Sequence, residues 1–267
     1  MKVTGTTFIV TGGGNGIGRC VVLELLARGA RVAAVDLRAE SLDETSALAG
    51  AGDRLATFVV DITDRTAVDA LPDQVNAALG PIDGLVNVAG IIQPFVRLID
   101  LDPATMARVV DVNLWGTVDL IRATLPHLLD RPAAHIVNVS SMGAFLPVPG
   151  QTLYGASKAA VKLLTEALWT ELRGTRVGVT LVMPGAVSTE ITTNSGVDMP
   201  AVATGQKRSR MPVTTPEAAA RTIVDGIERG RYHVYVGTDA RVMGLLVRIA
   251  PKQAAKLIQR QMRGLLG

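Results

Sequence analysis

The chain is poor in sulfur and in rings. Of its 267 residues one is a cysteine, Cys20, and aromatic residues make up only 3%. A lone cysteine closes no disulfide within the chain and points to a reducing, cytoplasmic compartment. So few rings leave an aliphatic core as the one available. Three histidines, His127, His135 and His233, are scattered without metal-ligand spacing, so no metal is expected. No apolar run approaches ~18 residues, so no transmembrane helix is expected. The opening stretch MKVTGTTFIVTGGG meets glycine too early for a signal peptide, and none is expected.

Net charge is also small, +3, and it is unevenly spread. From Ala240 onward there are six bases and no acid, which leaves 21 bases against 24 acids before that point. The basic balance therefore belongs to the tail, and nothing in the body suggests a nucleic-acid partner.

What the chain does have is an alternation of short β-branched runs and longer helical stretches. Thr7–Thr11, Val32–Asp36, Leu55–Asp61, Gly84–Ala89, Ala134–Ser140 and Gly178–Met183 read as strands. Most are apolar throughout, as strands covered on both faces are. Gly16–Arg28, Ala39–Ala49, Asp64–Leu79, Pro103–Leu129 and Gly155–Arg173 have helical spacing. The pattern predicts an α/β fold, a doubly wound parallel sheet with helices on both faces. Residues 1–239 read as one domain, and 240–267 as a basic helical extension. The stretch Ala186–Thr214 is too long for a simple connection and reads as a lid. Its Lys207, Arg208 and Arg210 read as a solvated charge run, with a substrate carboxylate or phosphate as the alternative partner.

Glycine is concentrated between the first strand and the first helix, in TGGGNGIGR at 11–19. A sharp turn there presents free N–H groups of the helix start, and glycine lets a phosphate approach them. A nucleoside-triphosphate loop would continue with lysine and a hydroxyl, but Arg19 and Cys20 stand in those places. The spacing present is Thr11-Gly12-x-x-x-Gly16-x-Gly18. Asp36 ends the second strand, where dinucleotide folds bind the adenosine ribose hydroxyls. A 2′-phosphate would meet like-charge repulsion there, so NAD is expected over NADP. Arg19 and Arg38 are the two bases placed to soften that preference.

Further along, Tyr154 and Lys158 are four apart at a helix start and share a face. Ser141 lies at a strand end, where α/β sites form. Together with TGGGNGIG, Asp61, NVAG at Asn87–Gly90, Asn113, YGASK at Tyr154–Lys158 and PGAVST at Pro184–Thr189, these residues carry a resemblance. From Thr6 to about Val236 the sequence resembles the short-chain dehydrogenase/reductase family. The resemblance implies a Rossmann-like fold and hydride transfer between a nicotinamide cofactor and a hydroxyl or carbonyl group. It implies Tyr154 as general acid/base, Lys158 as the cation that favours its phenolate, and Ser141 as a hydrogen-bond partner of the reacting oxygen. It makes Asn113 the holder of a water linking Lys158 to solvent. For the cofactor it implies Gly12, Asn15, Gly16, Ile17, Gly18, Asp36, Leu37, Asp61 and Ile62 as binding residues, with Asp61 accepting from the adenine amino group. Asn87, Ala89 and Gly90 would line the cleft, with Tyr154 and Lys158 beside the nicotinamide. Pro184, Gly185, Val187 and Thr189 would hold the nicotinamide end.

Residues expected around the substrate are apolar, namely Phe95, Met142, Phe145, Leu146, Val148 and Met183, with Gln93 and Gln151 adding hydrogen bonds. They suit an apolar secondary alcohol or ketone of steroid, terpenoid or lipid type. An NADPH-dependent ketone or 3-oxoacyl-thioester reductase and a non-catalytic cofactor-sensing module are the rivals. If Pro251 opens a helix, Ala254, Ile258, Met262 and Leu265 share its apolar face, opposite Lys252, Lys256, Arg260 and Arg263. That face is expected on its own domain or a second subunit, with an anionic membrane as the alternative. A homodimer or homotetramer is expected.

Overall fold

The computed structural model describes residues 1–189, 191–197 and 213–262. Lys207, Arg208, Arg210, Arg263 and Leu265, and most of the expected lid, lie outside the described residues.

Strand β1 (Thr7–Thr11) is buried along its whole length and leads into helix α1 (Gly16–Ala27). The unit then repeats through β2 (Arg31–Asp36), α2 (Ala39–Ala49), β3 (Leu55–Val59), α3 (Arg65–Leu79) and β4 (Gly84–Asn87). Helices α4 (Pro103–Val110) and α5 (Gly116–Leu129) follow, then β5 (Ala134–Val139), α6 (Thr152–Glu171) and β6 (Val177–Pro184). A short turn α7 (Ile191–Asn194), α8 (Pro216–Glu228), β7 (His233–Val236), α9 (Thr238–Ile249) and α10 (Pro251–Gln261) complete the described chain. All strands pair in parallel, in the order β3-β2-β1-β4-β5-β6-β7.

Alternation along the strands sorts their side chains to two faces. Phe8 and Val10 of β1 point to one core with Val21 and Leu25 of α1 and Ile223 and Ile227 of α8. Ile9 points to the other, with Leu71 of α3, Leu120 of α5 and Leu168 of α6. A third cluster joins Leu146 to Met243 of α9 and to Ala254 and Ile258 of α10. Pro251 does open a helix, and the apolar face of that helix is spent on its own domain.

Element bounds depart from the sequence reading where backbone geometry changes. The stretch 103–129 is not one helix. It widens into a π-helical turn over Asp111–Trp115, centred on Asn113. Strands β3 and β4 stop two residues short of the expected ends, and the freed residues form the rim of a cleft. The order reverses between β1 and β4, so the carboxyl ends of these two strands open a crevice, where open α/β sheets bind ligands.

Candidate active site

At that crevice Thr11 closes the gap between β1 and β4. Its hydroxyl accepts from the N–H of Val88 at 3.1 Å and of Ala89 at 3.2 Å. Gly12 follows with φ +67, a left-handed conformation that favours glycine, and a Cβ there would stand 3.1 Å from Ala89 Cα. A Cβ on Gly18 would strike the Gly12 carbonyl oxygen. The turn is thus folded tightly on itself, and the first N–H groups of α1 have no partner within the helix.

A cavity of about 230 Å³ lies over this turn. Gly12, Asn15, Gly16, Ile17, Gly18, Asp36, Leu37, Asp61, Ile62, Ala89, Gly90 and Thr189 all line it. Asp36 accepts from Gly14 N–H at 3.0 Å and from Arg38 N–H at 3.2 Å, so it both braces the glycine turn and borders the cavity. Asp61 accepts from the backbone and hydroxyl of Thr63. The two bases near Asp36 differ in placement. Arg19 turns to α2, bonding Gly14 O at 2.9 Å and Glu44 at 2.7 Å, and does not line the cavity. Arg38 does line it, with its guanidinium 2.7 Å from Asn194 Oδ1.

The residues present fit a dinucleotide. A glycine-rich helix N-terminus faces one part of the cleft, and a carboxylate at a strand end faces another. Asn87 is not at the surface of this cleft. It lies inside the sheet and donates from Nδ2 to Asn138 Oδ1 at 2.9 Å. Pro184, Gly185 and Val187 stand outside the cavity wall too. Val187 forms an isolated bridge with Thr214, and Ala186 N–H is held at 2.7 Å by Asp239 of α9.

A second cavity, about 540 Å³, opens beside α6. Phe145, Leu146, Val148, Gln151 and Tyr154 line it, with Val247 of α9 and Pro251 of α10 closing one side. Four expected pocket residues are elsewhere. Gln93 is fully buried and caps α6, its Oε1 accepting from Leu153 N–H at 2.8 Å and Tyr154 N–H at 3.1 Å. It positions the turn that carries Tyr154 and contributes nothing to the cavity wall. Met183 is fully buried at the end of β6, and half-buried Phe95 borders neither cavity. Met142 packs behind the wall, against the Leu146–Met243 cluster. Gln151 Nε2 donates to Gln93 O at 2.7 Å, which ties the two glutamines together.

Between the cavities stand Ser141, Tyr154 and Lys158. Ser141 follows β5 and accepts from Gly143 N–H at 3.0 Å, and its hydroxyl lies close enough to the Tyr154 phenol to favour the phenolate. Neighbouring Ser140 is turned away, donating to the Lys158 carbonyl at 2.7 Å. Desolvation pushes the Tyr154 phenol above its ordinary value of 10.0, and the Ser141 hydroxyl opposes that. Lys158 is 4% exposed, and its Nζ donates to Val139 O at 3.1 Å. A Cβ on Gly90 would lie 3.0 Å from that Nζ, which puts the cation against the wall of the first cavity. Asn113 is fully buried. It accepts from Ile91 N–H at 2.9 Å, and its Nδ2 donates to Ile91 O at 2.9 Å and Ser157 Oγ at 3.0 Å. Its amide N–H bonds are therefore spent on clamping the cleft edge to α6.

Burial pulls Lys158 down from 10.5 to about 8. Between those values an unfolded chain keeps a proton that the folded chain has lost, so unfolding takes one up. Stability should therefore rise with pH from about 8 toward 10, a window set by the Lys158 shift. Below about 8 both states carry the charge and its burial penalty is present in full. Above 10 the raised Tyr154 phenol works in the opposite direction. Denaturant midpoints measured across pH 7–10 should show the rise, and Lys158→Met should flatten it.

Some site residues carried no usable sequence signal. Ile91, Arg108, Val112 and Asn194 reach the first cavity, and Val247 and Pro251 the second, only because the fold returns them there. Asp239 reaches Ala186 across 53 residues.

The family model described as short chain dehydrogenase matches residues 6–199. SadH of Mycobacterium tuberculosis is 36% identical over 262 residues, covering 95% of this chain and 94% of that protein. The 1-deoxy-11-beta-hydroxypentalenate dehydrogenase of Streptomyces avermitilis is 34% identical, covering 90% of this chain and 88% of its own. Among solved structures, a short chain dehydrogenase/reductase from Burkholderia phymatum in complex with NAD superposes with a TM-score of 0.81. It is 25% identical, over 93% of this chain and 96% of that one. A short chain dehydrogenase from Burkholderia cenocepacia in complex with NADP gives a TM-score of 0.79 at 26% identity, over 98% and 99%.

Proposed function

Because this chain belongs to the short-chain dehydrogenase family, and hence to the nicotinamide-dependent oxidoreductases acting on CH–OH groups, we propose that it interconverts an apolar secondary alcohol and its ketone with NAD(H). The observation that carries the reading is the position of the Tyr154–Lys158 pair. Tyr154 borders the apolar cavity, and the Lys158 ammonium lies against Gly90 on the glycine-turn cavity.

The cofactor, when bound, would supply or accept the hydride. Reduction needs a proton donor at the nascent alkoxide, and the raised phenol of Tyr154 is protonated at neutral pH. Ser141 donates a hydrogen bond to the same oxygen and orients it toward the phenol. Oxidation needs the phenolate. Lys158, held one helical turn away, favours that form when charged. Gln93, Asn113 and Ser157 keep the first turns of α6 fixed, so the phenol does not drift from the reacting oxygen.

Asp36 supports NAD. A 2′-phosphate about 4 Å from its carboxylate would meet roughly 4 kcal/mol of repulsion per unit pair at an effective dielectric near 20. Among the described residues, Arg38 is the base at that end placed to offset it, and its guanidinium already serves Asn194. Calorimetric titration should give tighter binding of NADH than NADPH by at least ~10-fold, and Asp36→Ala should shrink the gap. Tighter NADPH binding would favour the reductase reading instead.

Phe145, Leu146, Pro147, Val148 and Val247 make the second cavity suit a steroid-, terpenoid- or lipid-like substrate. A panel of such alcohols and ketones, followed by the absorbance of reduced nicotinamide, tests this. Turnover confined to small, highly polar substrates would contradict it, and no turnover with either cofactor would favour the non-catalytic module. A homo-oligomer in the cytoplasm completes the proposal. Light scattering tests the assembly, and Cys20, half-buried and without a disulfide partner, suits a reducing compartment.

A further inference from the structure

We propose that the outer face of α9 docks this protein on an anionic lipid surface. The inference goes beyond hydride transfer and does not depend on it.

Helix α9 buries one side. Ala240, Met243 and Gly244 face the domain, and Val247 reaches the second cavity. The other side is apolar as well. Val242, Leu245 and Ile249 are 55%, 60% and 74% exposed. Their spacing of three and four places them on a single stripe. A solvated helix face normally carries polar residues there, so this stripe is surface prepared for an apolar partner.

The charges beside it identify the partner. Arg241 and Arg248 run along one edge of the stripe, and Lys252 follows its end. None of the three has a carboxylate partner among the described residues; Arg248 meets only the Tyr235 hydroxyl, at 3.4 Å. No acid occurs anywhere from Ala240 to the end of the chain. On α10, Lys256 and Arg260 are exposed, while Ala254 and Ile258 are buried against the domain. A second copy is a poorer fit to this surface, because a two-fold antiparallel packing of the stripe would set its arginine edge against the arginine edge of the other copy, with no acid from Ala240 onward to offset it. A nucleic acid would use the bases and leave the stripe wet. A bilayer rich in anionic lipid uses both, the stripe at the headgroup–acyl boundary and the bases at the phosphates. Val247 and Pro251, on the same helix pair, line the apolar cavity. Docking would therefore set that cavity beside a store of apolar molecules.

Full-length protein is sedimented with vesicles of phosphatidylcholine alone and of phosphatidylcholine mixed with phosphatidylglycerol. Binding is expected to the anionic vesicles only, weakening at high salt. Val242→Ser/Leu245→Ser/Ile249→Ser and, separately, Arg241→Glu/Arg248→Glu should each lower it at least ~10-fold, with unchanged melting temperature. All five side chains are exposed, and either variant alone keeps the test decisive if the other misfolds. Equal binding to both vesicle types, no binding by the wild type, or full binding by a folded variant overturns the proposal. So does a dimer that the triple-serine variant converts to monomer, which would assign the stripe to a second copy.

Discussion

Replacing Tyr154 by phenylalanine should lower kcat/KM by roughly 10²- to 10⁴-fold, the range for loss of a positioned proton donor. The change removes a single oxygen from the wall of the second cavity. It leaves the ring, the α6 backbone and the glycine turn in place, so the NADH dissociation constant should stay within about twofold. The effect should not add to that of Lys158→Met, because the two side chains act on one proton. Steady-state kinetics on the single and double variants check this. A Tyr154→Phe enzyme with near-normal turnover would remove the phenol from the chemistry.

Gly18→Ala should have the second large effect, on binding rather than on chemistry. The new Cβ would collide with the Gly12 carbonyl oxygen. Neither side of that clash is a flexible side chain. The glycine turn must open, and on the proposed reading that turn aims the first N–H groups of α1 at the cofactor. Overpacking of this kind costs about 1–3 kcal/mol, so NADH should bind roughly 10- to 100-fold more weakly. Calorimetry on the folded variant measures it. Unchanged affinity would mean that the phosphates are held elsewhere.

Much of this architecture could be read from residues alone. Strands such as Phe8–Val10 and Val32–Val35 are apolar at successive positions because both faces of the sheet are covered. The glycine turn was legible because few other sequences need so many small residues between a strand and a helix. Short or interrupted elements were harder. Strand β7, with the sequence HVYV, is four residues long and half-exposed on one face, and α8 begins inside a polar, proline-containing stretch. The π-helical turn at Asn113 left no mark, because hydrophobic spacing continues through it.

Within the site, residues whose roles depend on local sequence were easier to place than those whose roles depend on the fold. Tyr154 and Lys158 share a helix face by spacing alone. In the sequence, Gln93 reads as a hydrogen-bonding group in an apolar pocket. Only the return of α6 shows it bonded to the N–H groups of Leu153 and Tyr154. Met183 is apolar and close in sequence to Pro184, yet strand alternation sends its side chain into the interior. The wall that Val247 and Pro251 supply had no sequence signal, since it exists only once α9 and α10 fold back over Leu146.

The most direct test follows a labelled hydride. NADH carrying deuterium at the transferable position of the nicotinamide is incubated with the enzyme and the best ketone of the apolar panel. Mass spectrometry of the alcohol should find one deuterium on the carbinol carbon, and Tyr154→Phe should slow its appearance in proportion to turnover. Product free of deuterium, or label arriving at the same rate without the phenol, would contradict the account.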